Sequence, residues 1–190
     1  MGYIKERIKH VVRFRHKRGY GVHSPFMFNL ILNVIRDKEK RFTYPEALEK
    51  DKALNNRGRK VFRLLSRLIR FLRVQSIICI GKHAELYSAY LSLEYGKDCC
   101  QGNCLEDLEK ADFIYIGRKA KQVFQHDKLL VTELNFSGKC LLIADIHKDA
   151  LNGRIWREHQ SKAKVSVDMM WYGILLFDDK IQKGRYNLMI

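Results

Sequence analysis

Long apolar runs are missing from this sequence. None approaches the roughly 18 residues that a membrane-spanning helix needs, and the longest are the size of a strand. The N-terminus carries charge from Lys5 onward and lacks both an apolar h-region and a small-residue cleavage site, so no secretory leader is read there. A cytoplasmic protein is expected. Cysteine is sparse and odd in number, five in all, and Cys79 and Cys140 sit inside apolar, strand-like stretches, which argues against a disulfide framework. Cys99, Cys100 and Cys104 lie close together, but a zinc site wants four ligands, usually as two spaced pairs, and no second pair follows. They read as free thiols, and no metal site is expected. Residues 37–56, the most polar stretch, show no repeat or low-complexity tract.

Acid is in short supply. The formal net charge is +15, and 13 of those excess charges fall in two segments. Residues 1–20 carry seven basic side chains against Glu6 alone, and residues 57–73 carry seven with no acid at all. In the first segment Ile4, Ile8, Val11 and Val12 recur at helical spacing between the charges. That pattern fits a helix packed on the domain with a solvated basic face, or a basic amphipathic arm for RNA or an anionic membrane surface. In the second, Val61, Leu64, Leu65, Leu68 and Leu72 mark an apolar helix face, while Arg59, Arg63, Arg67 and Arg70 step along another. The arginine stripe is either an ordinary solvated face or a contact for nucleic acid or another anionic partner.

With 46% apolar and 30% charged residues, the chain has the composition of one globular domain with a substantial core. Residues 1–56 read as an N-terminal helical extension or cap, and residues 57–190 as an α/β unit. Ser24-Pro25 is a helix-start signal, because the hydroxyl can accept a free amide and proline at the first helical position loses no bond. A helix over 25–35 should present Phe26, Phe28, Leu30, Ile31, Val34 and Ile35. His23 beside that cap reads as structural. Tyr44-Pro45 suggests a turn and a short helix inside an otherwise polar connector.

The centre of the chain is residues 76–93, SIICIGKHAELYSAYLSL. An apolar run ends at Gly81 and helical spacing begins at once, which reads as buried strand, tight turn and returning helix. In open α/β sheets the crevice beyond such a strand is where a nucleotide-like ligand binds. Strands are further expected at 112–116, 139–143, 165–171, 173–177 and 186–190, a helix or irregular turn at 118–130, and a helix at 149–160 with Ile155 and Trp156 inward. The sum is a Rossmann-like, mostly parallel sheet closed by a C-terminal antiparallel hairpin.

Three stretches, GYGVHSPFMFNLI, ICIGKHAELYSAYLS and LLIADIHKDALNGRIWREHQSKAKVSVDMMWYGILLF, resemble the bacterial O-methyltransferase-like branch of the class I S-adenosylmethionine-dependent methyltransferases. The resemblance implies S-adenosylmethionine (SAM) as cofactor if the protein is active, with Cys79, Gly81, His83 and Glu85 at the first-motif positions. Cys79 replaces an acid, and Glu85 replaces the second glycine. The family's next strand ends in the carboxylate that binds the ribose, but only about seventeen residues separate Leu93 from the following apolar strand. One or two strand and helix units, the ribose-side strand among them, are therefore expected to be missing. The metal-dependent members place three oxygen ligands where Gly117, Ala144 and Asp145 stand. One such ligand is too few for a hard cation.

Asp145 and His147 are the candidate catalytic residues, an acid/base pair at a strand's carboxyl end, set against a helix-capping aspartate and a surface histidine. Each lost charge-assisted contact to the cofactor costs on the order of 1.5 to 3 kcal/mol. The leading expectation is thus a degenerate, non-catalytic methyltransferase-like protein acting as a binding or scaffold module, with the cleft above Gly81 closed by its own side chains. The alternatives are an active, shortened methyltransferase and a basic nucleic-acid-binding protein.

Overall fold

The computed structural model describes Ile4, Ile8 and residues 24–37, 42–95, 99–100, 105–120, 136 and 138–188. Seven strands form one sheet: β1 (Ile77–Ile80), β2 (Cys99–Cys100), β3 (Phe113–Ile116), β4 (Cys140–Ala144), β5 (Val165–Asp168), β6 (Tyr172–Leu176) and β7 (Gly184–Asn187). Their order is β2-β1-β3-β4-β6-β5-β7. Only β6 runs against its neighbours, β4 and β5, while β1, β2, β3, β4, β5 and β7 share one direction. The architecture is α/β with a mostly parallel sheet, and β5 and β6 form the antiparallel hairpin the sequence announced.

Strand alternation divides the core. Ile77, Cys79, Phe113, Tyr115, Leu142 and Ile174 face one layer, made with α1 (Pro25–Asn29), its π-helical continuation Leu30–Arg36, α3 (Asn56–Leu72) and α4 (Ala84–Tyr95). Ile78, Ile80, Ile114, Ile116, Leu141 and Leu175 face the other, with Ile155 and Trp156 of α6 (Ala150–Lys162) and Leu108 of α5 (Leu105–Lys110). Because both faces are covered, β1, β3 and β4 are buried at every position and show no polar alternation. Gly173 in β6 has a packing reason: a Cβ there would lie 2.3 Å from the Trp156 ring.

The Ser24-Pro25 start signal holds, and two further helix starts carry side-chain caps. Ser24 Oγ accepts from the Met27 amide, Asn55 caps α3 by accepting from Gly58 N at 2.8 Å, and Asp149 caps α6 by accepting from Leu151 and Asn152. Several details differ from expectation. Phe28 is exposed, because Met27, Leu30, Ile31 and Val34 form the inward row. The connector holds the short helix expected after Pro45, α2 (Glu46–Lys50), but also contributes Leu48 and Leu54 to the core. The short segment after α4 contains a strand after all: β2, two residues long, pairs in parallel with β1, and α5 follows. A strand this brief gives no periodicity to read. Its next residues are Gln101, Gly102 and Asn103, none of them a carboxylate.

The basic N-terminal segment lies outside the described residues except Ile4 and Ile8, both helical and exposed. His23, Cys104 and the expected helix or irregular turn beyond residue 120 lie outside them too. Among the described residues, no helix is long and apolar enough to cross a membrane.

Candidate functional site

From β1 the chain moves to β2 on one side and then to β3 on the other, so the sheet reverses direction between β1 and β3. Ligands of open α/β sheets bind outside the carboxyl ends of the strands at such a reversal. Gly81 stands there with φ +89°, a conformation that suits glycine. What it meets is backbone. A Cβ at Gly81 would lie 2.7 Å from the Arg118 carbonyl oxygen. The Lys82 amide donates to that same carbonyl at 2.7 Å, and the Gly117 amide donates to Ile80 O at 2.7 Å. The loops after β1 and β3 are thus stitched together across the crevice.

The space that remains is about 40 Å³, bordered by Lys82, His83, Tyr87, Tyr115, Arg118 and Tyr172. Small-molecule sites usually occupy about 300 to 1,000 Å³. A few waters fit where a nucleotide-sized ligand does not. Burial pushes the phenols of Tyr87, Tyr115 and Tyr172 above their ordinary value, so these rings stay neutral, and the Tyr87 hydroxyl donates to Gly58 O at 3.0 Å. Burial, reinforced by the Lys82 charge and opposed by Asp51, lowers the His83 imidazole.

Asp145 closes β4 with its side chain 2% exposed. One carboxylate oxygen takes the Arg57 guanidinium at 2.7 Å, and the other pairs with Arg118. Arg57 also donates to the Tyr172 hydroxyl at 3.3 Å and lies 4.4 Å from the Trp171 ring centroid. Burial pulls the Arg57 pKa down, but Tyr172 and Asp145 outweigh that and leave it raised. With both oxygens held by cations, the carboxylate has little capacity to act as a base or to ligate a metal.

Gly117 and Ala144, the other two positions where the resemblance implies metal ligands, are joined differently. Asn152, fully buried on α6, donates from Nδ2 to Gly117 O at 3.0 Å and to Ala144 O at 2.7 Å. Two carbonyls need a donor, which fixes the amide's orientation. Hydrogen-bond donors and guanidinium groups therefore stand where a cation would be held. Among the described residues, no group of three or more His, Cys, Asp or Glu is arranged for a metal.

The remaining sequence candidates separate. His147 Nε2 lies 2.8 Å from Asp168 Oδ2, while the oxygens of Asp145 face Arg57 and Arg118. Asp145 does not cap the next helix; Asp149 does. Glu85 is exposed in the first turn of α4 and does not line the crevice, since the turn at Gly81 directs that helical face outward. Cys79 is a buried core side chain.

The arginines of the stripe have partners within the fold, although Arg70 is exposed. Arg59 donates to the carbonyls of Leu48 and Asp51. Arg63 makes a two-point pair with Glu49. Arg67 donates to the carbonyls of Val34 and Ile35 and to the Tyr44 hydroxyl, and Arg70 binds Glu94 and Tyr95. Guanidinium forks satisfy carbonyls at the end of the π-helical segment and at α2, fastening the N-terminal elements to α3. Arg63 and Arg67 nevertheless border a second, larger concavity of about 550 Å³, together with Arg57 and Lys60. The residues that sequence reading missed are Arg57, Arg118, Asn152 and Tyr172. Arg118 carried a signal, being the first side chain after the turn glycine that ends β3.

Comparison of the chain with protein-family models, with curated proteins and with solved structures finds no match.

Proposed function

We propose that this chain is a methyltransferase-like α/β protein that does not hold SAM in a productive site and serves as a binding or scaffold module in the cytoplasm. The sheet supports the fold part of this reading: a parallel array reversing direction beside β1 and ending in an antiparallel hairpin, with one strand and one helix fewer between α4 and β3 than the resembling family has. The observation that carries the functional part is the closure of the crevice, with Lys82 N–H on the Arg118 carbonyl and the Arg57 and Arg118 guanidinium groups on Asp145. Cofactor binding there would require separating the two loops and uncovering a paired carboxylate before any contact formed. The buried thiols of Cys79 and Cys140 agree with a reducing compartment.

Isothermal titration of the chain with SAM and with its demethylated product tests the reading. No saturable heat is expected below about millimolar ligand. A dissociation constant near micromolar for either compound overturns it.

A further inference from the structure

Outside the crevice, α3, the end of the π-helical segment and the turn between β5 and β6 enclose the groove of about 550 Å³. That volume lies within the usual range for small-molecule sites, about 300 to 1,000 Å³. Two kinds of side chain border it. Arg36, Arg57, Lys60, Arg63 and Arg67 supply cations, and no carboxylate lines it among the described residues. Ile35, Leu64, Met169 and Trp171 supply an apolar wall.

The cations are not fully compensated. Arg63 pairs with Glu49, Arg67 lies 3.8 Å from Asp37, and Arg57 has only a share of Asp145, which Arg118 also holds from the crevice side. Lys60 is exposed, and among the described residues its side chain has neither an ion pair nor a hydrogen bond. The groove therefore keeps a positive potential beside a low-dielectric wall, an arrangement that concentrates anions.

Shape decides which anion. A polyanion needs a continuous basic track with donors free along it. On α3, Arg59 and Arg70, at the two ends of the stripe, are held by Leu48, Asp51, Glu94 and Tyr95. Of the basic groups on α3 it is Lys60 that keeps its donors free among the described residues, and it opens onto one concavity with an apolar side. We propose that this groove is a binding site for a small amphiphilic anion, its carboxylate or phosphate head beside Lys60, Arg57 and Arg63 and its alkyl or aryl body against Leu64, Met169 and Trp171. The inference goes beyond the closed-crevice reading and does not depend on it, because SAM titration reads the crevice and the titrations below read the groove.

The test is calorimetric titration of the full chain with decanoate and with decyl phosphate, each below its micellar concentration, alongside inorganic phosphate and a thymidine oligonucleotide. Saturable one-to-one binding of at least one amphiphile is expected. Lys60→Glu should weaken it roughly tenfold, while Lys60→Arg and the distant, exposed Lys180→Glu should leave it unchanged. Since Lys60 has no internal partner among the described residues, the variant's unfolding midpoint should match the parent's, which separates lost binding from lost folding. The proposal is overturned if neither amphiphile saturates, if Lys60→Glu binds as the parent does, if inorganic phosphate binds as tightly as decyl phosphate, or if only the oligonucleotide binds.

Discussion

Arg57 borders both concavities, yet the charges around it face different things in each. On the crevice side its guanidinium meets a buried carboxylate that Arg118 also holds, and backbone amides seal the mouth. On the groove side Lys60 faces solvent with no partner among the described residues. The lesson concerns where a protein can bind: a concavity whose polar groups satisfy one another is part of the fold, whereas one with an unmatched charge beside apolar surface is ready for a ligand. Position in the sheet would have favoured the crevice, and the pairing of its groups favours the groove.

The sharpest way to break this comparison is at Gly81. If the glycine keeps room for a ligand, adding a methyl group should cost affinity and little stability. If it admits the Arg118 carbonyl, Gly81→Ala should cost stability, because alanine at φ +89° is strained and its Cβ would meet a backbone oxygen at 2.7 Å that cannot move without opening the Lys82 and Gly117 bonds. A loss of about 3 kcal/mol is expected from the two effects together, read from the midpoint of urea unfolding. A loss under about 1 kcal/mol would show the loops to be separable.

Asp145 offers the next test, with a sign that separates the two roles. Residues kept for catalysis are often held against the interest of stability, so replacing them tends to leave stability unchanged or raise it. A carboxylate kept to neutralise two guanidinium groups does the reverse. Asparagine tolerates the left-handed backbone at this position, φ +52°, so Asp145→Asn removes the charge without straining the turn. The expected loss is about 2 kcal/mol, at the low end for a buried ion because Arg57 and Arg118 can turn partly to water. Thermal unfolding checks it, and a variant as stable as the parent would return Asp145 to the list of catalytic candidates.

These contrasts also show what the sequence could carry. Gly81 was legible because strand, glycine and helix are a local grammar, and Ser24-Pro25 because a cap and its helix are adjacent. Trp156 was legible as an inward side chain of α6 for the same reason, though not its seat on Gly173. Arg57 and Arg118 as partners of Asp145 were not, since they stand far from it in the chain and meet it only when α3 and the β3 loop arrive at the end of β4. The arginine stripe shows the other limit. Helical spacing placed Arg59, Arg63, Arg67 and Arg70 along α3 correctly, but spacing does not tell whether a guanidinium faces water or the carbonyls of a neighbouring helix end. The two-residue β2 and the π-helical turn are too short to impose a period. The parallel docking of β7 beside β5 depends on the edge left open by the hairpin.

The smallest expected effect lies at His83, beside Gly81 in the sealed turn. Burial, helped by the Lys82 charge, holds its folded pKa below the ordinary value, so the unfolded chain takes up a proton there more readily than the folded one does. Stability from this histidine is then fully present above about pH 6.5, the unfolded value, and is lost as the pH falls below it toward the folded pKa. His83→Asn keeps a residue that accepts φ +67° and removes the titration. Between about pH 8 and pH 5, the parent's unfolding midpoint should fall by more than the variant's, with the difference growing only on the acid side. An imidazole standing in an open, hydrated cleft would give parallel curves, and parallel curves would mean the crevice admits water freely and is not closed as its hydrogen bonds require.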